Sequence, residues 1–174
     1  MRAFLPTFFG LIKPGMAALD LGAGPGQQTL HMAELGARVY AVDRSFEPVA
    51  HPGVLWRKMN IQDWLTGEGS KVAFDAVLAR NVFPFIEKEY VQGTLVPTIT
   101  ASMPSGAVFA VSAFHQDPEP PFPKPLLSLW TLDELQAMFA GWESIHAWTG
   151  SFEGPDMQGA TRRFHACEII VKKP

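Results

Sequence analysis

Short apolar runs alternate with more polar segments along most of the chain, and this pattern predicts its secondary structure. Five runs are apolar enough to form buried strands: Met16–Leu21, Arg38–Val42, Val54–Met59, Ala73–Ala79 and Ala107–Ala113. Helices are expected before and between them, at Phe4–Ile12, Gln27–Leu35 and Glu87–Ser102, with Pro97 kinking or dividing the last. Alternation of this kind predicts an α/β fold, a Rossmann-like doubly wound sheet that is mostly parallel.

The C-terminal third follows a different pattern. Two runs, Glu143–Thr149 and His165–Val171, predict strands with no helix between them, which indicates an antiparallel hairpin at the edge of the sheet. A glycine-rich loop is expected to join them, over Gly150–Thr161. The proline-rich stretch His115–Pro125 predicts an extended, irregular loop that covers a pocket. Between these segments, Thr131-Leu132-Asp133-Glu134 has the spacing of a capping box and predicts a helix through Phe139.

Composition narrows the class of protein. The 174 residues are 47% hydrophobic and 18% charged, which suits one folded domain over residues 1–174. A net charge of −3 disfavours a nucleic-acid partner, because contacts to phosphates dominate such binding. The chain has a single cysteine, Cys167, and no apolar run of about 20 residues that would span a bilayer. We therefore expect a cytoplasmic protein without a membrane partner, either a monomer or a homodimer.

The chemistry of the chain concentrates where the first strand ends. The sequence there is Asp20-Leu21-Gly22-Ala23-Gly24-Pro25-Gly26, and the second strand ends in another acid, Asp43. A P-loop would need a lysine after its last glycine, and Gln27 stands there. A dinucleotide fingerprint needs its third glycine at position 27, and its pyrophosphate would be repelled by Asp20.

A cationic nucleoside fits this loop better. S-adenosylmethionine carries a sulfonium and an ammonium group, so a carboxylate at Asp20 favours it, and the glycines let the backbone approach closely. Asp43 is placed to accept hydrogen bonds from the two ribose hydroxyls. The loop therefore predicts S-adenosylmethionine as cofactor, with S-adenosylhomocysteine as product. A dinucleotide and a purely structural glycine loop remain the alternatives.

These motifs resemble the class I S-adenosylmethionine-dependent methyltransferases from about Lys13 to Phe114. The likeness is carried by the Asp20–Gly26 loop, Val42-Asp43, Asn60-Ile61-Gln62-Asp63-Trp64 and Phe74-Asp75-Ala76-Val77. It implies that Asp63 binds the adenine amino group, that Ile61, Gln62 or Trp64 flanks the ring, and that Ala79–Val82 line the methionine arm. The cofactor site it implies consists of Asp20, Gly22, Ala23, Gly24, Gly26, Asp43, Arg44, Ile61, Gln62, Asp63, Trp64 and Ala79.

The C-terminal part resembles the tellurite-resistance branch of that family in particular. Trp130–Leu135, Gly141-Trp142-Glu143 and the closing segment from Arg163 to Lys173 carry this likeness. The branch usually has a His-Arg pair in the loop before its last strand, whereas this loop reads Ser151-Phe152-Glu153-Gly154. The departure puts chemistry on tellurium or selenium oxyanions in doubt, but not methyl transfer.

The sequence does not single out one catalytic residue, and Arg80 and His115 are the main candidates. Arg80 ends an apolar strand, where a charge needs a partner or a ligand, so it contacts substrate or pairs with Asp63 or Asp75. His115 lies at the expected rim of the pocket, where it is either a solvated loop histidine or a catalytic residue. Arg162, Arg163 and His165 are weaker candidates, the two arginines reading mainly as a solvated strand start. The five histidines lack the spacing of metal ligands, so we expect no metal.

The acidic balance favours a small-molecule acceptor, and the expected activity is that of an S-adenosylmethionine-dependent methyltransferase. A cofactor-binding partner subunit without activity is the main alternative, motivated by the missing His-Arg pair. A dinucleotide-dependent oxidoreductase is the weaker one.

Overall fold

The computed structural model describes residues 3–119, 126–156 and 159–174. Its strands are β1 (Ala17–Leu21), β2 (Arg38–Val42), β3 (Val54–Arg57), β4 (Ala76–Arg80), β5 (Val108–Glu119), β6 (Glu143–Pro155) and β7 (Thr161–Lys172). They form one sheet in the order β3-β2-β1-β4-β5-β7-β6. The first five strands are parallel, and β7 pairs antiparallel with both β5 and β6. The predicted fold class is confirmed.

Helices cover both faces of this sheet. They are α1 (Phe4–Leu11), α2 (Gln27–Glu34), α3 (Ile61–Gly67), α4 (Lys88–Tyr90), α5 (Val96–Ser102) and α6 (Leu132–Ala137). The side chains of α1 and α2 pack on one face, and those of α3, α5 and α6 pack on the other. The inner parallel strands β1 and β4 are therefore buried on both sides, as the continuous apolar runs predict, whereas the edge strand β3 is only half-buried.

The long helix before β5 is divided, as expected from Pro97. A π-helical segment, Val91–Leu95, lies between α4 and α5, and it ends immediately before the turn that contains the proline. Proline lacks an amide hydrogen, so the regular ladder of hydrogen bonds cannot continue through it. The capping box is also confirmed: Thr131 and Glu134 bind each other's backbone amides, and α6 then ends at Ala137 rather than Phe139.

The last three strands are longer than predicted. The expected loop His115–Pro125 begins as strand, because β5 continues to Glu119, and residues 120–125 of it lie outside the described residues. Much of the expected loop Gly150–Thr161 is also strand, since β6 runs to Pro155 and β7 starts at Thr161. Local composition favoured loops here, but pairing of β5, β6 and β7 with one another overrides it.

A buried serine ties the segment after β5 to the segment after β4. The Ser128 hydroxyl lies 3.0 Å from the carbonyl oxygens of both Phe83 and Ile86, and it accepts a 2.8 Å bond from the indole Nε1 of Trp130. Nearby, the Leu127 amide donates to the carbonyl of Pro84 at 2.8 Å. These bonds fix two loops that both lie at the C-terminal edge of the parallel strands.

Replacing this serine should destabilise the protein. Ser128→Ala leaves the Trp130 indole without its acceptor in a buried place, and we expect a loss of about 1–3 kcal/mol in the free energy of unfolding. Denaturant unfolding measures this difference. Ser144→Ala, at an exposed position of β6, is the matched control and should change stability by less than about 0.5 kcal/mol. Equal effects of the two substitutions would contradict the role given to Ser128.

Candidate cofactor site

The glycine loop between β1 and α2 is anchored on the end of β2. The amides of Gly22 and Ala23 both donate to the carbonyl of Val42, at 2.8 and 3.2 Å. Gly22, Gly24 and Gly26 all have positive φ, at 67°, 57° and 84°. Only glycine adopts such angles without strain, so the alternate glycines are needed to turn the chain from strand into helix.

The three glycines serve different purposes. A Cβ on Gly22 would lie 2.6 Å from Cγ2 of Val82, and one on Gly26 would clash with Val49. These two positions therefore keep the loop packed against its neighbours. A Cβ on Gly24 would meet nothing within 4 Å. Gly24 faces open space, where a ligand can approach the backbone.

Asp20 lies at the end of β1 beneath this loop. It is only 2% exposed, and its Oδ2 accepts a 2.6 Å bond from the Thr29 hydroxyl of α2. Burial raises the pKa of Asp20 to about 6, while the bond from Thr29 and the positive charge of Arg80 oppose the shift and the charge of Asp43 adds to it. A carboxylate in this position favours a cation at the loop.

Asp43 joins the loop to the segment that follows β2. Its Oδ2 accepts from the Gly24 amide at 3.0 Å, and its Oδ1 accepts from the amides of Ser45 and Phe46 at 2.7 and 3.2 Å. The side chain is half-buried, and the neighbouring Arg44 is exposed. The carboxylate is thus held in one orientation at the open side of the loop.

The predicted adenine-binding segment forms the first turn of α3, a helix that the strand pattern did not predict. Asn60 caps it, with its Oδ1 accepting a hydrogen bond from the Gln62 amide at 2.9 Å. Gln62 and Asp63 are exposed, and Ile61 is 8% exposed.

Ile61, Gln62 and Trp64 are the alternatives for flanking the adenine ring, and Trp64 is unsuited to that role because it is buried. Trp64 is 1% exposed and packs in the core, with its ring centroid 6.2 Å from that of Phe74. A Cβ on Gly69 would lie 2.7 Å from the Trp64 ring, so a glycine is required for this packing. Helical periodicity turns Trp64 inward and its neighbours Gln62 and Asp63 outward.

The end of β4 carries backbone strain that the sequence did not reveal. Asn81 has φ of 54°, the one positive value among the described residues other than glycine. Its amide donates to the carbonyl of Ser112 at 2.7 Å, and its Oδ1 accepts from the Ser112 hydroxyl at 2.9 Å. Strain of this kind clusters at functional sites. The Ala79 side chain is fully buried, so only its backbone remains available to a cofactor.

The candidate catalytic residues lie along the same edge. Arg80 is exposed at the end of β4 and interacts electrostatically with Asp20. The side chains of His115 on β5 and His165 on β7 are in contact, with ring centroids 5.7 Å apart. Neither this contact nor the hydrogen bond between Ser151 and His165 follows from the spacing of the sequence, because His115 and Ser151 were expected to lie on loops.

The two arginines at the start of β7 are ion-paired rather than simply solvated. Arg162 Nε lies 2.6 Å from Asp156 Oδ2, with both side chains largely buried, and Arg163 pairs with Glu153 at 3.2 Å. Within the described residues, no group of three or more His, Cys, Asp or Glu side chains is arranged to hold a metal ion. No helix in the described part of the chain is long and apolar enough to cross a membrane.

Comparison with known proteins agrees with this architecture. Residues 19–96 match the methyltransferase domain family. The chain is 42% identical over 59 residues to the ribosomal RNA large subunit methyltransferase E of Thermoplasma acidophilum, and 29% identical over 170 residues to Hemagglutinin 1 of Eikenella corrodens. These alignments cover 33% and 90% of this chain, but only 28% and 54% of the two relatives.

Solved structures extend the likeness to the whole fold. TehB from Haemophilus influenzae aligns with a TM-score of 0.76 at 17% identity, covering 100% of this chain and 63% of TehB. The 1,6-didemethyltoxoflavin-N1-methyltransferase of Burkholderia thailandensis, with 1,6-didemethyltoxoflavin and S-adenosylhomocysteine bound, aligns with a TM-score of 0.63 at 19% identity over 99% and 77% of the two chains.

The match over residues 19–96 and the overall fold agree with a methyltransferase domain. Residues 19–96 carry the match to that domain family, and the chain as a whole has a fold similar to that of TehB. The predicted class and the predicted cofactor, S-adenosylmethionine, are thereby confirmed.

The buried carboxylate predicts an unusual dependence of stability on pH. The pKa of Asp20 is about 6 in the folded protein and about 3.8 in the unfolded chain. Between pH 4 and pH 6 the carboxyl group of Asp20 is therefore protonated more often in the folded protein than in the unfolded chain. Ionised Asp20 thus destabilises the fold at neutral pH by about 3 kcal/mol, and this effect disappears as the pH falls towards 4. Asp20→Asn should raise the melting temperature by several degrees at pH 7.5 and by little at pH 4.5.

Thermal melting at the two pH values measures this difference. Asp133→Asn, at an exposed position in the first turn of α6, is the control and should show no such dependence. A gain that is the same at both pH values would mean that the charge of Asp20 is not the cause.

The loop glycines give a second prediction. Gly22→Ala should lower the melting temperature more than Gly24→Ala. Each substitution places alanine at a positive φ, which costs about 1–2 kcal/mol, but only the alanine at position 22 also clashes with Val82. Gly24→Ala should nevertheless weaken binding of S-adenosylhomocysteine, since its methyl group projects into open space. Calorimetric titration measures the affinity, and thermal melting measures the stability. An unchanged affinity of Gly24→Ala would contradict the assignment of the cofactor to the open side of the loop at Gly24.

Proposed function

We propose that this chain transfers the methyl group of S-adenosylmethionine to a small-molecule acceptor. The observation that carries the proposal is the pair of carboxylates, Asp20 and Asp43, on either side of a glycine loop with one open face. A cation at this loop favours the ionised form of Asp20, whose burial alone favours the neutral one. A pyrophosphate would instead meet two acids.

The residues around the loop suit the parts of this cofactor. Asp43 would accept hydrogen bonds from the ribose hydroxyls with the lone pairs that its backbone partners leave. Asp63 and Gln62, exposed on α3, would bind the adenine amino group and cover the ring, together with Ile61. Arg44 would lie near the ribose. Asp20 would act through its charge, beneath the methionine arm.

The cofactor supplies an electrophilic methyl group, which transfers by in-line displacement. The protein then contributes mainly by holding donor and acceptor in line, an effect worth up to about 7–11 kcal/mol in favourable cases. The tied segments after β4 and β5 suit this task, because Ser128 and Leu127 fix them to each other. Arg80, at the same edge, would bind a polar part of the acceptor.

A small acceptor is supported by several observations. The Burkholderia neighbour holds a small-molecule acceptor together with S-adenosylhomocysteine on a similar fold. The likeness to the ribosomal RNA methyltransferase spans only 59 residues, and the chain has a net charge of −3, which opposes RNA binding. A cofactor-binding subunit without activity is the alternative, and turnover separates the two.

Binding of S-adenosylhomocysteine tests the cofactor site. We expect binding in calorimetry with the natural chain, and an affinity lower by about 5- to 150-fold for Asp43→Ala, equivalent to about 1–3 kcal/mol from lost hydrogen bonds to a charged group. Asp133→Ala should bind as the natural chain does. Unchanged affinity of Asp43→Ala would contradict the ribose assignment, and protection by NAD in a melting assay would favour a dinucleotide instead.

Turnover tests the proposed activity. Formation of S-adenosylhomocysteine is followed with a panel of small thiols, amines and hydroxylated aromatic compounds, and with a ribosomal RNA fragment as a separate arm. Turnover with a small acceptor supports the proposal. Turnover with RNA alone, or binding without turnover in the presence of every acceptor, would overturn the small-molecule assignment.

A further inference from the structure

Strand β5 is irregular at the point where it leaves the parallel sheet. Phe114 pairs with Ala166, and the next pair is Gln116 with His165, so His115 is an extra residue in a β-bulge. A second irregularity follows before Glu119 pairs with Arg163. Bulges turn side chains away from the regular alternation and are common beside active sites. Here the bulge carries a histidine.

The bulge places His115 against a second histidine. The two rings meet edge to face, with centroids 5.7 Å apart and planes at 69°. The Nδ1 atom of His165 lies 2.8 Å from the hydroxyl of Ser151 on β6, so His165 is held in one orientation. Burial and the neighbouring His165 lower the pKa of His115, which keeps its ring neutral at neutral pH.

This histidine pair lies at the edge where the cofactor loop is. Ser112 of β5 pairs with Arg80 at the end of β4, so His115 stands three residues beyond the end of the parallel sheet. The Trp130 amide donates to the carbonyl of Phe114, at 2.9 Å, next to the bulge. Ligands of open α/β sheets bind in the crevice outside the carboxyl ends of the strands.

Most charged groups near His115 and His165 form ion pairs with one another. Asp117 follows on β5 and is exposed. Arg163 of β7 pairs with Glu153 of β6 further along the hairpin, and Lys88 of α4 pairs with Glu134 of α6 on the helical side. His165 is therefore the titratable group that acts most directly on His115.

Building on the proposed methyl transfer, we propose that His115 accepts the proton that the methyl acceptor loses, with His165 and Ser151 as its positioning residues. In this step an electron pair of the acceptor atom forms the bond to the methyl carbon, and the pair of the breaking carbon–sulfur bond stays on sulfur. The acceptor proton passes to a ring nitrogen of His115 and then to solvent. The acceptor class is a neutral molecule that reacts at an N–H, O–H or S–H group.

The contact with His165 affects how readily His115 releases a proton. Two imidazolium rings in contact repel each other, so protonation of one disfavours protonation of the other. Burial and the neighbouring His165 lower the pKa of His115, so a proton that it takes up is released more readily than from an ordinary histidine. A single solvated histidine would lack this bias.

Proton NMR titration of the histidines tests the pair without any acceptor. In the complex with S-adenosylhomocysteine, we expect His115 to titrate below an ordinary histidine, and His165→Gln to raise its pKa. His31→Gln, on the exposed face of α2, is the control and should leave His115 unchanged. A titration of His115 that does not respond to His165→Gln would overturn the proposal. A natural chain that binds no S-adenosylhomocysteine would instead contradict the proposed function.

Matched acceptors test the proton transfer itself. 2-Mercaptoethanol must lose a proton when it is methylated, whereas dimethyl selenide has none to lose. His115→Gln should reduce kcat/KM for the thiol on the order of 10²- to 10⁴-fold more than for the selenide, the range of general-base catalysis. Circular dichroism melting checks that the variant is folded. Equal losses with both acceptors would show a structural role only and would overturn the assignment.

Discussion

The carboxylate of Asp20, held out of water at the end of β1, is the constraint on which the site depends. It accepts a hydrogen bond from the hydroxyl of Thr29 on α2, so strand, loop and helix meet at this one group. The loop above it closes over the acid because Gly22 packs against Val82, the residue after the strained Asn81. A charge buried in this way opposes folding and attracts a cation, and the site thus combines a local instability with a preference for a positively charged ligand.

The rest of the edge is built to keep that loop in place. Val42 receives the loop amides, and Asp43 receives the amide of Gly24, so the end of β2 fixes the turn from one side. On the other side, Ser112 holds Asn81 in its left-handed conformation. Val42, Asp43 and Asn81 all lie within residues 19–96, the part of the chain that matches the methyltransferase domain family.

The C-terminal part of the chain has a different architecture. Beyond the parallel sheet, β5, β6 and β7 continue as a three-stranded antiparallel extension, and the bulge at His115 interrupts its regular pairing. The segment after residue 125 is tied back to the loop after β4 through Ser128. Under the proposed function, this extension would contribute to the selection of the acceptor.

The sequence alone determined the parallel strands, the cofactor loop and its acids, because apolar periodicity and the conformational needs of glycine are local properties of the chain. It also determined the capping box at Thr131, which involves residues within one turn. Tertiary structure decided the rest. Trp64 packs in the core, and His115 contacts His165 on a neighbouring strand instead of lying on a solvated loop. Such placements follow from packing and strand pairing between residues that are distant in sequence. In β5 and β6, this pairing overrides the loop preference of the local prolines and glycines.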